Sequence, residues 1–403
     1  MIGTGSSAAP GTDGTEPTPP PDADGTAGAS TDTTDDGADT SSGGPQVPDD
    51  GLGPWGFAFV DVPTVSGYWV EFGDFNGDGW LDLVAGGPDP IEVHTGSGTG
   101  SFAMVAQAGV TGTDYGRLGD FDGDGDLDVA AFDSSAGDGF DVLLNDGRGS
   151  MTASFAQASG FYGFPAAALH LDDDGAHDLF VPLGHSQGAF LTWSQGDGTF
   201  DQGPTVEGPA CYFSGLGVGD FDGDGLDDVA GTGSCNSIPE FLPLAIYRHV
   251  DGVFEIAQGI GADLGPVIEL GDVRVYDVDH DGDLDVLTPT HLGVYVIENL
   301  GDGVFADPPI VVPHTHDEYG RILVPIELGP DANPAFVIDQ ETFGDPLAAL
   351  VVSEPGWGSS TTEIIDLYGR VAGTADIDGD GARDVAVWIG ETDPTLGLWL
   401  SGG

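Results

Sequence analysis

The chain has 403 residues and sets 69 acidic side chains against 7 arginines and no lysine, a formal charge of −62. That balance excludes nucleic acid and anionic membrane surfaces as partners, because both are held by basic patches. No apolar run approaches the ~20 residues of a membrane span, and 69 glycines with 28 prolines point to many turns rather than long helices.

Residues 1–50 are almost entirely Gly, Ser, Thr, Ala, Pro and Asp, with Ile2 and Val47 as the larger aliphatics. Such a segment cannot bury enough apolar surface to offset its ordering entropy, so a disordered acidic tether is expected there. Met1-Ile2 is followed by neither a basic n-region nor an apolar stretch, so no signal peptide is visible. Thr- and Pro-rich acidic tethers nevertheless commonly hold exported domains away from a surface. Residues 51–403 are therefore expected to be one secreted or cell-surface domain.

That domain begins with a strand-like segment, Trp55–Asp61, which has no neighbour of its own. An acidic nine-residue loop then recurs, first as Asp74-Phe-Asn-Gly-Asp-Gly-Trp-Leu-Asp82. Its positions 1, 3, 5, 7 and 9 are Asp74, Asn76, Asp78, Trp80 and Asp82. The second copy supplies Asp120, Asp122, Asp124, Asp126 and Asp128. A weaker third opens on His170 and keeps Asp172, Asp174 and Asp178. The fourth has Asp220, Asp222, Asp224, Leu226 and Asp228, and the fifth has Asp277, Asp279, Asp281, Asp283 and Asp285. The last has Asp376, Asp378, Asp380, Ala382 and Asp384.

A hard cation such as Ca²⁺ takes several oxygen ligands, and alternate residues of a tight loop can point inward together. Gly at position 6 permits the sharp turn. Position 7 varies freely, as expected where only its carbonyl is a ligand. These residues predict about five to six calcium sites. Six ions would neutralise only about a fifth of the charge, so much of the acid must be surface. An EF-hand is excluded: it needs Glu at position 12, where this chain has Ala85 and Ala131, and helical flanks, where this chain has short strand-like runs.

The loops start at 74, 120, 170, 220, 277 and 376, with gaps of 46, 50, 50, 57 and 99 residues. The doubled last gap predicts a missing copy near 327, and Glu327 to Ala335 aligns there with acids at positions 1 and 5 only. A period near fifty residues with several short strands per unit is that of a propeller blade. The prediction is an all-β, seven-bladed β-propeller in which the N-terminal strand completes the last blade and removes two exposed edges.

Three further features lie between the loops. Tyr115-Gly-Arg117, Tyr319-Gly-Arg321 and Tyr368-Gly-Arg370 recur on the face opposite the acidic loops. Repeated Tyr and Arg suit sugar stacking, carboxylate binding or a protein hot spot, or else packing between blades. His314 and His316 with Asp317 and Glu318 supply two imidazoles on one connector, too few for a zinc site. Gly184-His-Ser186-Gln-Gly188 spells a nucleophile elbow, but between two strands rather than a strand and a helix. Cys211 and Cys235 flank the fourth loop almost symmetrically, so antiparallel pairing predicts a disulfide and an oxidising compartment.

The Phe-Asp-Gly-Asp-Gly-x-x-Asp-Val/Leu cores, the later Gly-Asp-Gly-x-Phe turns and the unit count resemble the FG-GAP/VCBS repeat family, which includes integrin α-subunit propellers. The resemblance covers about residues 55–403. It implies calcium, a propeller and adhesion or ligand binding, without fixing an activity. The expected protein is a monomeric binding module for a carbohydrate or protein ligand at a cell surface. The competing readings are a secreted propeller enzyme acting on polysaccharide and a structural segment of a surface assembly.

Overall fold

The computed structural model describes residues 58–133, 139–158, 166–172, 174–182, 189–206, 212–234, 244–250, 252–261, 273–290, 293–313, 320–326, 335–340, 347–353, 360–365, 370–390 and 394–401. Every regular element among them is a strand. They form seven four-stranded antiparallel sheets, of which six are runs of four consecutive strands.

The first sheet is β2 (Trp69–Gly73), β3 (Asp82–Gly86), β4 (Glu92–Gly96) and β5 (Phe102–Gln107). The second is β6 (Tyr115–Gly119), β7 (Asp128–Asp133), β8 (Gly139–Asn145) and β9 (Met151–Ala158). The third is β10 (Ala167–Leu169), β11 (Asp178–Pro182), β12 (Ala189–Ser194) and β13 (Phe200–Val206). The fourth is β14 (Tyr212–Gly219), β15 (Asp228–Ser234), β16 (Leu244–Val250) and β17 (Val253–Ile260). The fifth is β18 (Arg274–Tyr276), β19 (Asp285–Thr290), β20 (Gly293–Ile297) and β21 (Ile310–Val312). The sixth is β22 (Gly320–Ile326), β23 (Ala335–Gln340), β24 (Leu347–Ser353) and β25 (Ser360–Ile365).

The seventh sheet is composite. It orders β26 (Arg370–Ala375), β27 (Asp384–Ile389) and β28 (Thr395–Leu400) outward and adds β1 (Ala58–Ser66) as its outermost strand. Phe59 pairs with Trp399 and Val60 with Leu398, and the Phe59 and Trp399 rings sit 5.0 Å apart. The N-terminal strand thus extends beyond Asp61 to Ser66, because Val62 still faces Leu396.

The innermost strands β2, β6, β10, β14, β18, β22 and β26 pack side by side in that order, and β26 returns to β2. This is a propeller. Its core is divided among the junctions between neighbouring sheets, as where Trp69, Phe75 and Val93 of the first meet Val129, Leu143 and Met151 of the second. The second strands β3, β11 and β19 are covered on both faces and buried at every residue. That explains why these strands read as continuous apolar runs rather than alternations. The sixth sheet forms without a full acidic loop: Ile326 still pairs with Ala335, keeping the hairpin register.

Candidate metal centres

Each acidic loop joins the first strand of a sheet to its second. Two residues of the first, second, fourth, fifth and last loops take left-handed backbone, at positions 4 and 6, as with Gly77 (φ 72°) and Gly79 (φ 87°). A Cβ is disfavoured in that region. In the fifth loop position 4 is His280, which adopts φ 62° nonetheless.

The left-handed turns wrap the backbone around the first carboxylate. Asp74 Oδ1 accepts the N–H groups of Gly77 (2.7 Å) and Asp78 (3.2 Å), and Oδ2 accepts that of Gly79 (2.9 Å). Asp120 repeats this with Gly123, Asp124 and Gly125.

The position-9 carboxylate has a second task that its place in the motif conceals. Its Oδ2 accepts the N–H of position 2, as from Phe121 to Asp128 at 2.8 Å and from Ile377 to Asp384 at 2.7 Å. Its Oδ1 accepts a backbone N–H close to the end of the third strand. The donors are Gly96, Asn145, Ser194, His249, Asn299 and Ser401, for Asp82, Asp128, Asp178, Asp228, Asp285 and Asp384 respectively. One buried side chain therefore ties the loop to the third strand in all six copies.

The same third-strand residues link sheets. Asn145 Nδ2 donates to the Phe75 carbonyl, Ser194 Oγ to that of Phe121, and Asn299 Nδ2 to that of Phe221. His249 breaks the series: it stacks on Phe254, and neither ring nitrogen has a partner among the described residues.

Positions 1, 3 and 9 converge. One carboxylate oxygen from each lies within 4.8 Å of the other two in the sets Asp120/Asp122/Asp128, Asp220/Asp222/Asp228, Asp277/Asp279/Asp285 and Asp376/Asp378/Asp384. Burial first, then neighbouring carboxylates, opposes ionisation. It pushes Asp128 up to about 7 and Asp178, Asp228, Asp285 and Asp384 up to about 6, while Asp82 is also raised. At position 3, Asp122, Asp279 and Asp378 are raised for the same two reasons. Asp376 Oδ1 is buried without a hydrogen-bond partner. Three carboxylates in one place are repulsive unless a cation or protons join them.

Other expected ligands stand apart from these sets. The position-5 carboxylate turns to cap the N–H of position 7 in every copy, as from Trp80 to Asp78 (2.9 Å), Leu226 to Asp224 (2.9 Å), Asp283 to Asp281 (3.0 Å) and Ala382 to Asp380 (2.8 Å). In the first loop, Asn76 brings an amide to Asp82, with Nδ2 3.0 Å from Oδ2. The third loop does not gather three ligands among the described residues. Its His170 faces the next sheet instead, with Nδ1 3.2 Å from Asp227 Oδ2. His177 accepts the Asp120 N–H at Nδ1, 3.1 Å away, and its ring lies 4.1 Å from that of His170. Asp172 and Asp174 are exposed, and each caps an N–H of its own loop.

Tyr115 and Arg117 make contacts within and between sheets. Tyr115 stacks on Phe132 at 4.7 Å and 8°. Arg117 donates from Nε to the Ala166 carbonyl (2.7 Å) and from Nη1 to Glu71 Oε1 (3.1 Å), so it spans three sheets. Arg370 opens β26 and is exposed, and Arg321 lies on β22. Tyr319, Tyr368, Cys211, Cys235, His314, His316, Ser186 and the tether lie outside the described residues.

A profile of the FG-GAP-like repeat matches residues 74–131 and 170–231, spans that hold the first four loops. The chain carries FG-GAP-like repeats on a propeller fold. No curated protein sequence matches it significantly. Among solved structures, this FG-GAP propeller resembles an Agrocybe aegerita lectin that recognises non-reducing terminal N-acetylglucosamine: TM-score 0.53, 19% identity, 74% of this chain and 80% of that one. It resembles the exotype rhamnogalacturonan lyase YesX at TM-score 0.51 and 14% identity over 87% and 74% of the two chains. BBS1N, solved in complex with ARL6DN, aligns at TM-score 0.51 and 11% identity over 84% and 95%. At these identities the likeness is one of fold.

Proposed function

We propose that this FG-GAP propeller is a calcium-stabilised, extracellular or cell-surface binding module whose seven sheets act as seven blades. The observation that carries the calcium reading is the repeated convergence of carboxylates from positions 1, 3 and 9. The donor set fits a hard cation: it is all oxygen, it is partly desolvated, and one oxygen of Asp376 lacks any other partner. The second, fourth, fifth and seventh sheets would hold calcium through these triads. The first would do so with the Asn76 side-chain oxygen in place of one carboxylate. Position-5 carboxylates such as Asp124 and position-7 carbonyls would complete the shells.

The binding reading is supported by the family's repeats and by a lectin sharing the fold. A carbohydrate or protein ligand is expected on the face away from the calcium loops, at Tyr319, Arg321, Tyr368 and Arg370. The test is to screen the full chain with calcium against polysaccharides and surface glycoproteins, reading both retention and product release. Retention without turnover, abolished when Tyr319 and Tyr368 become Ala, is expected. Turnover would instead assign the protein to propeller enzymes, a class that shares its fold with a polysaccharide lyase.

Export predicts a disulfide between Cys211 and Cys235. Tyr212 and Ser234, one residue inside each cysteine, are cross-strand partners. Mass measurement after alkylation should find no labelled thiol before reduction and two after. Two labels without reduction would refute the bridge.

A further inference from the structure

One acidic loop already contains a cation. In the fourth sheet Arg248 Nε lies 2.8 Å from Asp222 Oδ2, and Asp222 is a member of the converging set with Asp220 and Asp228. The Arg248 side chain is 36% exposed and that of Asp222 only 11%. The guanidinium is held at both ends, since Nη2 also donates to the Asp302 carbonyl in the fifth sheet, 2.9 Å away. The corresponding residues, each one before the third-strand donor to position 9, are Thr95, Leu144, Trp193, Glu298 and Leu400. None is cationic. Among the described residues, Asp122, Asp279 and Asp378, which share the loop position of Asp222, have no arginine ion pair.

A guanidinium on a ligand oxygen acts against a divalent ion in two ways. It occupies a lone pair that the ion would use, and it repels the ion across a short, partly desolvated distance. It also neutralises part of the triad when no metal is present, so the empty loop gains less from filling. We infer that Arg248 is a built-in competing cation that makes the fourth loop the weakest calcium site of this propeller, the last to fill and the first to empty. This rests on the calcium reading above. The sites would then be graded, with one of them responding to calcium over a higher concentration range than the rest.

Calorimetric calcium titration of the full-length protein tests this. Wild type should show one weak site beside a tighter class. Arg248→Gln should tighten that weak site by about fivefold or more. Arg248→Leu should do the same, and it suits the fold because Leu144 and Leu400 hold that register in other sheets. Arg248→Lys should stay weak. Arg148→Gln, the same charge change at an exposed residue of the second sheet, should leave the titration unchanged. Asp222→Asn added to Arg248→Gln should remove the tightened site. If calcium binds but wild type, Arg248→Gln and Arg248→Leu titrate alike, the competition is refuted and the calcium reading stands. If wild type takes up no calcium, the calcium reading fails and the inference with it.

Discussion

Excess chelator at pH 7.5 is expected to lower the melting temperature of this propeller by at least about 15 °C. A site filled at a hundredfold excess over its Kd contributes about 2.7 kcal/mol. Five such sites supply an amount comparable to the entire stability of an ordinary domain, about 5–15 kcal/mol. The sign of the pH dependence should also reverse with metal. Without metal, Asp128 titrates near 7 and Asp228, Asp285 and Asp384 near 6, all above the ordinary carboxylate. The folded state then holds more protons than the unfolded chain between about pH 4 and 7. Its stability is greatest below the ordinary carboxylate range and is lost as pH rises through those folded values. Each two-unit rise is worth roughly 3 kcal/mol. Calcium requires the deprotonated ligands, so its stabilisation grows over the same interval. Chelated protein should melt higher at pH 5.0 than at 7.5, and calcium-loaded protein the reverse. Higher melting at 7.5 in chelator would contradict the account of desolvated carboxylates. An unchanged melting temperature on chelation would refute calcium dependence altogether.

Asp128→Ala should destabilise the protein by about 3–5 kcal/mol even with no metal present. The side chain is fully buried, with Oδ1 accepting the Asn145 N–H and Oδ2 that of Phe121, each at 2.8 Å. Truncation leaves two buried donors unsatisfied, about 1–3 kcal/mol each, and a small cavity besides. Asp124→Ala is the contrast. Asp124 is exposed and caps the Asp126 N–H, so its loss should matter mainly in calcium. Urea unfolding in chelator at pH 5.0, where the metal-free fold is more stable than at 7.5, separates the two. Equal midpoints for both variants would show that the buried aspartate does not latch loop to strand.

The loops, their period and the strand closing the seventh sheet were legible because each leaves a local mark: alternating acids, a doubled gap, a strand without a neighbour. The latch left none. An Asp at position 9 reads as a ligand whether or not it also binds backbone, and its second donor is an N–H fourteen to twenty-one residues away. Nothing in side-chain identity announces a backbone donor, as the series from Gly96 to Ser401 shows. The Tyr-Gly-Arg repeat likewise does not say what its first arginine meets: Arg117 finds Glu71 on the neighbouring strand. That partner could have been found: Glu71 and Arg117 both stand three residues before their loops, hence at equal height on adjacent inner strands.

The composite seventh sheet sets a timetable for the ring. β1 ends at Ser66, and β28, its partner, begins at Thr395. At synthesis rates of 5–20 residues per second, the first strand waits roughly 20–70 s for the last. Throughout that interval the nascent chain holds an unpaired edge, the kind that recruits other chains. Closure must therefore await β26, β27 and β28, the strands that complete the sheet to which β1 belongs.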